Sequence, residues 1–214
     1  MIISLKNIGK RYNFEWIFRG VNYDFSSENN YVILGANGSG KSTLLQVISG
    51  SLMNSEGEIT FTNTPNANTT AVIEIENLFN SLSYCAPYLD LFEEFTLTES
   101  IEFQEKFKPF QKGLITKQII ELTELGKSKD KQLKYYSSGM KQRVRLALAI
   151  LADTPLLLLD EPTSNLDKKA IDWYQQLVTA HSKNRMIIVA SNQQEYEYSF
   201  CNKQLIIEDY KKTV

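Results

Sequence analysis

The stretch GANGSGKS, from Gly35 to Ser42, constrains the fold of this chain more than any other part of its sequence. The short apolar run YVIL comes directly before it, and the apolar residues of STLLQVISG after it have helical spacing. A glycine-rich loop between a buried strand and a helix can wrap its backbone N–H groups around a phosphate. The stretch therefore predicts an α/β fold that binds a nucleotide through its phosphates.

The side chains at the end of this loop indicate the chemistry that it serves. We expect Lys41 to reach the β- and γ-phosphates of the nucleotide and the Ser42 hydroxyl to ligate Mg²⁺. Mg²⁺ is thus the expected metal. The predicted nucleotide-binding residues of the loop are Gly35, Ala36, Asn37, Gly38, Ser39, Gly40, Lys41, Ser42 and Thr43.

A carboxylate pair follows a second apolar run, PLLLLDEPT, which is typical of a fully buried parallel strand. Asp160 suits the Mg²⁺ shell, and Glu161 suits the polarisation of an attacking water molecule. The alternative interpretation is a strand end with two solvated acids. The presence of a phosphate loop in the same chain favours the catalytic interpretation.

Composition narrows the class of protein further. The chain has 214 residues, 43% of them hydrophobic, which is enough for one compact unit. Its formal net charge of -2 gives no electrostatic reason to expect nucleic-acid binding. Cys85 and Cys201 lack metal-ligand spacing and are expected to be reduced.

The remaining patterns predict a mixture of strands and helices. GEITF predicts a strand, and the turn-rich segment TNTPNANTT after it predicts an exposed loop within a hairpin excursion. From about residue 96 to residue 152 the pattern is helical, which predicts a helical subdomain. RMIIVAS and KQLIIED predict further strands.

Three segments, GANGSGKS, YSSGMKQR and LLLLDEPTSNLD, occur in the order and spacing of the ATP-binding cassette (ABC) family. The chain resembles that family over essentially its whole length. The resemblance implies one nucleotide-binding domain over residues 1–214. Its expected fold is a P-loop NTPase (RecA-like) core with a mostly parallel sheet, an antiparallel β subdomain and an inserted helical subdomain at about 88–153.

The segment YSSGM resembles the signature of this family, whose usual form is LSGGQ. The resemblance implies that Ser137 and Gly139 face the γ-phosphate held by a second subunit, so that two subunits sandwich ATP. Ser138 and Met140 depart from the usual residues of the signature. Asp167 resembles the loop aspartate that links the two sites across the dimer, and it is also a candidate cap for the helix that follows.

The aromatic residue that stacks on adenine in this family corresponds to Tyr12, by the spacing of KRYNFEWIFRGV. Phe14 and Trp16 are rival candidates. The alternative for Tyr12 is an ordinary half-buried aromatic residue that serves packing alone.

Two residues of the family pattern are missing. The glutamine that contacts Mg²⁺ and the lytic water falls on Pro87, whose side chain cannot ligate a metal. The histidine that contacts the γ-phosphate falls on Ser191, which Asn192 follows, and either side chain is a candidate for a substitute hydrogen bond. The only histidine, His181, is expected near a helix end. We therefore expect slow ATP hydrolysis.

The resemblance implies the ATPase subunit of an ABC transporter, which forms a homo- or heterodimer and acts on a separate transmembrane permease subunit. No apolar run approaches the roughly 20 residues that span a bilayer, so the expected location is cytoplasmic, at the inner face of the cell membrane. The aromatic-rich segment YLDLFEEFTLTESIEF is expected to bind the permease. Two alternatives stay open: a soluble ABC-type ATPase, and a dimerisation module gated by nucleotide.

Overall fold

The computed structural model describes residues 1–66 and 69–211 of the chain. In chain order, the strands are β1 (Ile2–Tyr12), β2 (Glu15–Ser26), β3 (Tyr31–Leu34), β4 (Glu56–Asn66), β5 (Thr69–Val72), β6 (Leu82–Cys85), β7 (Leu156–Asp160), β8 (Met186–Ser191) and β9 (Lys203–Ile206). The helices are α1 (Lys41–Ile48), α2 (Leu97–Glu105), α3 (Thr116–Thr123), α4 (Ser138–Leu151), α5 (Lys168–His181) and α6 (Glu195–Tyr198), with 3₁₀ turns at Ile75–Ser81, Gly126–Ser128, Leu133–Tyr135 and Ile207–Tyr210.

The central sheet has five strands in the order β6-β7-β8-β3-β9, and every neighbouring pair is parallel. The leucine run of β7 fits its place in this sheet, because successive side chains of a strand point to opposite faces. Leu157 and Leu159 pack in a core shared with α4 and α5, whereas Leu156 and Leu158 pack in a core shared with α1 and the antiparallel sheet. Both faces of β7 are therefore buried, as the sequence predicted.

The second sheet has four antiparallel strands in the order β2-β1-β4-β5. It corrects one expectation, since β4 continues from the predicted strand GEITF to Asn66 and pairs with β5. The segment TNTPNANTT is thus largely strand, because its threonines suit the pleated backbone of a hairpin. Residues 67 and 68, at the middle of that segment, lie outside the described residues.

The helices α2, α3 and α4 lie between β6 and β7 in sequence, where the helical subdomain was expected. The Thr96 hydroxyl caps α2 by accepting a hydrogen bond from the Glu99 N–H, and the Glu99 side chain accepts one from the Thr96 N–H. The predicted capping pair therefore begins this helix. The α/β fold with a parallel core, an antiparallel sheet and a helical insertion is confirmed, whereas the boundaries 1–214 and 88–153 stay predictions.

A buried arginine joins the helical insertion to the parallel sheet. Arg185, only 6% exposed, donates hydrogen bonds to the carbonyl oxygens of Ile150 (2.7 Å) and Ala152 (3.2 Å) at the end of α4. It also donates to the hydroxyls of Ser83 (2.8 Å) and Thr154 (2.7 Å). One guanidinium, just before the start of β8, therefore satisfies polar groups from β6, from the end of α4 and from the connection between α4 and β7.

We predict that Arg185→Ala lowers the free energy of unfolding by about 3 kcal/mol, because it orphans several buried acceptors at once. The measurement is urea unfolding followed by circular dichroism. Lys183→Ala, an exposed cation two residues away, is the matched control and should change stability by less than about 0.5 kcal/mol. Equal effects of the two variants would contradict this role for Arg185.

Candidate nucleotide-binding site

The predicted site residues come from three neighbouring strands of the central sheet. In the pairing of these strands, Leu34 lies opposite Ser191 and Asp160 lies opposite Ala190. Because β3, β7 and β8 are parallel, their carboxyl ends meet at one edge of the sheet. The phosphate loop, the Asp160–Glu161 pair and the end of β8 are therefore brought together.

The phosphate loop follows β3 and turns into α1 through glycines in the left-handed region. Gly38 has a φ of 76° and Gly40, at the N-cap of α1, has a φ of 108°. A Cβ at Gly40 would lie 2.7 Å from the Ile17 side chain, so the hairpin of β1 and β2 packs directly against the loop. Only glycine satisfies both the backbone angle and this close approach. The loop thus presents the N-terminus of α1 to the site.

Lys41 is buried at the centre of this edge, with 3% of its surface exposed. Its ammonium group donates a hydrogen bond to the Ala36 carbonyl oxygen at 3.1 Å, which orients the side chain across the loop. The same group lies 3.6 Å from Glu161 Oε1. Two of the predicted catalytic residues therefore form an ion pair at the mouth of the phosphate loop.

Asp160 ends β7 and is only 1% exposed. Within the described residues, neither of its carboxyl oxygens has a hydrogen-bond partner of ordinary length and angle. Burial, with the neighbouring charge of Glu161, raises the pKa of Asp160 to about 6, although Ser42 and Lys41 lower it. A buried carboxylate beside a serine hydroxyl is a donor set that suits a hard cation. The residues present therefore fit the predicted Mg²⁺ site.

Glu161 adopts a backbone angle that is unusual for its residue type. Its φ of 42° lies in the left-handed region, and its N–H donates a hydrogen bond to the Ala190 carbonyl oxygen at 2.9 Å. Strained residues of this kind persist where the surrounding structure fixes them, often at functional sites. The turn leaves the Glu161 side chain beside Lys41.

The end of β8 separates two residues that the sequence treated as equivalent candidates. Ser191 is fully buried, and its hydroxyl donates a hydrogen bond to Glu197. Asn192 instead lies against the phosphate loop, with its Nδ2 3.3 Å from Asn37 Oδ1. Of the two candidates, Asn192 therefore faces the phosphate loop, whereas the Ser191 hydroxyl faces away from it towards Glu197.

The connection after β6 supplies a residue that the sequence analysis missed. Pro87 lies in the turn that follows β6, and Tyr88, 46% exposed, comes next. The Tyr88 and Tyr84 hydroxyls share a hydrogen bond. Burial raises the pKa of Tyr88, and Gln46 and Asp160 lie close enough to influence it. A phenol thus stands near Asp160, and its only signal in the sequence was its position next to Pro87, on which the family glutamine is predicted to fall.

The three candidate adenine-stacking residues differ in how free their rings are. The guanidinium groups of Arg19 and Arg11 lie 4.5 Å and 5.6 Å from the Trp16 ring. Tyr12 is 47% exposed and Phe14 is 96% exposed, and both lie where the hairpin of β1 and β2 turns. Lys10 Nζ lies 5.2 Å from the Tyr12 ring centroid, so Tyr12 and Trp16 both have cations over their rings, and Phe14 is the most exposed of the three.

The signature segment and Asp167 lie next to each other on a different part of the surface. Ser137 caps α4 by accepting a hydrogen bond from the Met140 N–H at 3.3 Å. A Cβ at Gly139 would come within 3.0 Å of the Asn165 carbonyl oxygen, just before Asp167. Both Ser137 and its neighbour Ser138 are exposed. No hydrogen bond or ion pair of the described residues joins these groups to the phosphate loop of the same chain.

Asp167 and His181 occupy the two ends of α5. The Asp167 side chain caps the helix by accepting a hydrogen bond from the Ala170 N–H at 2.8 Å, which confirms the capping interpretation. His181 is the last residue of α5, and its Nδ1 lies 2.9 Å from Gln111 Oε1. Partial burial lowers the pKa of His181. His181 therefore lies at a helix end, as expected from the sequence.

An aromatic groove lies on the helical insertion. The rings of Phe92, Phe95, Phe103 and Phe107 pack in a chain with centroids 5.0 to 5.4 Å apart. Phe92 is 60% exposed and Phe107 is 70% exposed. We call this surface the aromatic groove; it is also lined by Asp90, Leu91, Ser100, Gln104, Lys108 and Leu148. Such exposed apolar patches mark interaction surfaces.

Comparisons with known proteins identify the family of this chain. The family model for ABC transporters matches residues 18–164. Human ATP-binding cassette sub-family A member 10 is 30% identical over 196 residues, which cover 88% of this chain and 12% of that protein. The energy-coupling factor transporter ATP-binding protein EcfA1 of Thermotoga maritima is 30% identical over 201 residues, covering 92% of this chain and 74% of that protein.

A solved structure has the same fold. The dimeric post-hydrolysis state of the ATP-binding cassette MJ0796, bound to ADP and Pi, matches with a TM-score of 0.79 and 22% identity. The match covers 97% of this chain and 94% of that chain. The fold and the site define an ATP-binding cassette on a P-loop scaffold. The chain belongs to the ABC transporter family, whose members generally hydrolyse ATP.

We predict that Asp160→Asn stabilises the nucleotide-free protein by on the order of 2 kcal/mol at about pH 7.5, because the variant removes a charge that burial disfavours. The pKa of Asp160 is raised from 3.8 to about 6 by folding, so this penalty is absent below about pH 4, grows as pH rises towards about 6 and is constant above that. The gain should therefore shrink as pH falls from about 7.5 towards 4.

Urea unfolding at several pH values measures this effect. Asp172→Asn, an exposed acid on α5, is the matched control and should give a small change at every pH. A stabilisation by Asp160→Asn that did not depend on pH, or a loss of stability at high pH, would contradict the assignment.

Proposed function

We propose that this chain binds Mg-ATP between two ABC subunits and hydrolyses it slowly, to drive transport through a separate membrane permease. The observation that carries this proposal is the buried, unpartnered carboxylate of Asp160 beside the Lys41–Glu161 pair and the phosphate loop. Buried polar groups without partners are rare in folded proteins and call for a ligand or an ion. A nucleotide with its metal would provide both.

Each residue at the sheet edge has a proposed task. The backbone N–H groups at the start of α1 and the ammonium of Lys41 bind phosphate oxygens. The Ser42 hydroxyl and the Asp160 carboxylate hold Mg²⁺, which when bound neutralises charge on the phosphates. Glu161 orients a water molecule for attack. Lys41, which now lies beside Glu161, would bind phosphate in its place. Tyr12, or Phe14, stacks on the base.

The exposed signature supports a site that is shared between two subunits. Ser137, Gly139 and the N-terminus of α4 face outwards without touching their own phosphate loop. A helix N-terminus with exposed serines suits an anion. In a dimer, a partner's γ-phosphate would meet this surface, and Asp167, on the adjoining loop, would lie near the subunit boundary.

We expect ATP hydrolysis to be impaired more than ATP binding, because the two departures from the family affect residues of the hydrolytic step. Pro87 offers no side-chain donor or metal ligand. Asn192 can donate one hydrogen bond to a γ-phosphate through Nδ2, but it carries no charge. Loss of a donor to transition-state charge lowers rates by about 10² to 10³-fold in other enzymes.

The aromatic groove supports a protein partner, and we infer that this partner is the membrane permease. No helix of the described residues is long and apolar enough to cross a membrane. In this proposal another subunit therefore provides the membrane path, and one of its helices fills the space between the exposed rings of Phe92 and Phe107. The chain would then act on the cytoplasmic side of the membrane.

A second candidate is a clamp that dimerises on ATP with little or no hydrolysis. Pro87 and Asn192 favour it, because they weaken hydrolysis without removing Lys41, Ser42 or Asp160. A soluble ABC-type ATPase without a permease is a third candidate, and the exposed aromatic groove argues against it.

The deciding experiment measures ATP binding, phosphate release and dimerisation in one preparation. We expect wild type to bind Mg-ATP, dimerise and release phosphate slowly. Glu161→Gln should reduce phosphate release by at least about 100-fold and retain ATP binding, because it removes only the water-orienting carboxylate. Lys41→Ala should weaken ATP binding itself. The measurements are a phosphate-release assay, equilibrium dialysis and light scattering.

Glu28→Gln, an exposed acid remote from these motifs in the sequence, is the matched control for Glu161→Gln. Binding and dimerisation without phosphate release in the wild type would favour the clamp. Failure of the wild type to bind Mg-ATP would contradict the proposal as a whole.

A further inference from the structure

A buried carboxylate lies behind the catalytic edge of the sheet and plays no part in the function proposed above. Glu197, on the short helix α6, is 3% exposed. Its Oε2 accepts a hydrogen bond from Ser191 Oγ at 2.5 Å. Its Oε1 accepts hydrogen bonds from Thr163 Oγ1 at 2.5 Å and from the Thr163 N–H at 3.2 Å. Three donors from two separate segments therefore converge on one side chain.

The two segments are the ones that carry the hydrolytic residues. Thr163 is two residues after Glu161, in the turn that follows β7, and Ser191 directly precedes Asn192 at the end of β8. Glu161 is also close enough to contribute to the raised pKa of Glu197. The Glu197 carboxylate thus bridges the loop of the water-orienting acid to the loop of the residue that faces the phosphates.

The bridge is itself held in place. The Tyr174 hydroxyl, fully buried in α5, donates a hydrogen bond to the Glu197 carbonyl oxygen at 2.7 Å. The Gln194 N–H donates to Ser191 Oγ at 3.2 Å, so the chain between Asn192 and α6 folds back on the same hydroxyl. Burying a carboxylate without a cation is costly unless hydrogen bonds compensate for lost solvation. A buried carboxylate that is hydrogen-bonded to both of these loops suggests a positioning task.

We propose that Glu197 is a positioning residue for ATP hydrolysis, which fixes Asn192 against the phosphate loop and fixes the turn after Glu161 through Thr163. This inference rests on the proposed ATPase function. In this proposal Glu197 acts through Ser191 and Thr163, to which it is hydrogen-bonded. Asn192 has one contact with the loop, at 3.3 Å, and a rigid anchor behind it would hold a neutral donor where the γ-phosphate develops charge.

The test compares Glu197→Gln with Glu195→Gln, an exposed acid on the same helix that undergoes the same chemical change. The measurements are kcat and KM for Mg-ATP, ATP affinity by equilibrium dialysis, and the thermal midpoint. We expect Glu197→Gln to lower kcat by about 10- to 100-fold, with KM and ATP affinity within about twofold of wild type, because misplacing a catalytic group affects the transition state. Glu195→Gln should match wild type.

A double-mutant cycle with Asn192→Ala separates positioning from general destabilisation. Because Glu197 acts in part through Asn192, the two changes together should lower kcat by less than the product of their separate effects. Effects that multiply independently would overturn the proposal. So would a Glu197→Gln protein with wild-type kcat, or one whose loss of activity equals its loss of folded, ATP-binding protein.

Ser191→Ala provides a second route if Glu197→Gln does not fold, since it removes one donor to the same carboxylate and leaves the charge. Ser191→Ala should also lower kcat and retain ATP affinity. An unchanged kcat in this variant would overturn the proposal. If the wild type binds no Mg-ATP or shows no turnover, the proposed ATPase function fails first, and this inference fails with it. Turnover in wild type with no effect of either variant would overturn only the role of Glu197.

Discussion

The structure depends on one constraint, the parallel pairing of β7 between β6 and β8. A strand buried on both faces must be apolar along its length, which the run Leu156 to Leu159 satisfies by sending alternate side chains into two cores. The same pairing places every strand end at one edge of the sheet. Polar residues must therefore collect there, and Asp160 is the last residue of the strand and nearly as buried as the leucines.

Burial at this edge shapes the chemistry that the site supports. Burial without a hydrogen-bond partner raises the free energy of the ionised carboxylate. A bound cation would offset this cost. Lys41 partly compensates for the acids, at 3.6 Å from Glu161, but it contacts Ala36 as well. The fold thus stores an unfavourable arrangement of charge that a nucleotide with its metal would make favourable, and this links the stability of the protein to its ligand.

The sequence predicted the parts of the site that are contiguous in the chain. The phosphate loop, the acid pair and the capping role of Asp167 each depend on neighbouring residues, so local patterns were sufficient. The sequence left Ser191 and Asn192 as alternatives, because the direction of a side chain at a strand end depends on the pleat and on the turn that follows. Tyr88 was missed since its contact with Asp160 is made through the packing of two separate strands.

The burial of Glu197 was likewise not predictable from the local sequence. The segment EYEY suggests a polar surface helix, and only the position of α6 against α5 shows that Glu195 is exposed and Glu197 is buried. The prediction of a loop at TNTPNANTT was wrong, because the Asn and Pro content of this segment indicates turns, whereas the pairing of β4 with β5 makes it largely strand. In both segments, contacts with parts of the chain that are distant in sequence therefore overrode the local sequence preference.

The central claim is that this chain has a complete site for binding Mg-ATP and an incomplete set of residues for hydrolysing it. The most direct test is the turnover of Asn192→His against wild type at saturating Mg-ATP, with bound ATP counted in the same samples. We predict equal ATP binding and a turnover at least about tenfold higher in Asn192→His, because a stronger donor then faces the γ-phosphate. Equal ATP binding with unchanged or lower turnover in that variant would contradict the claim.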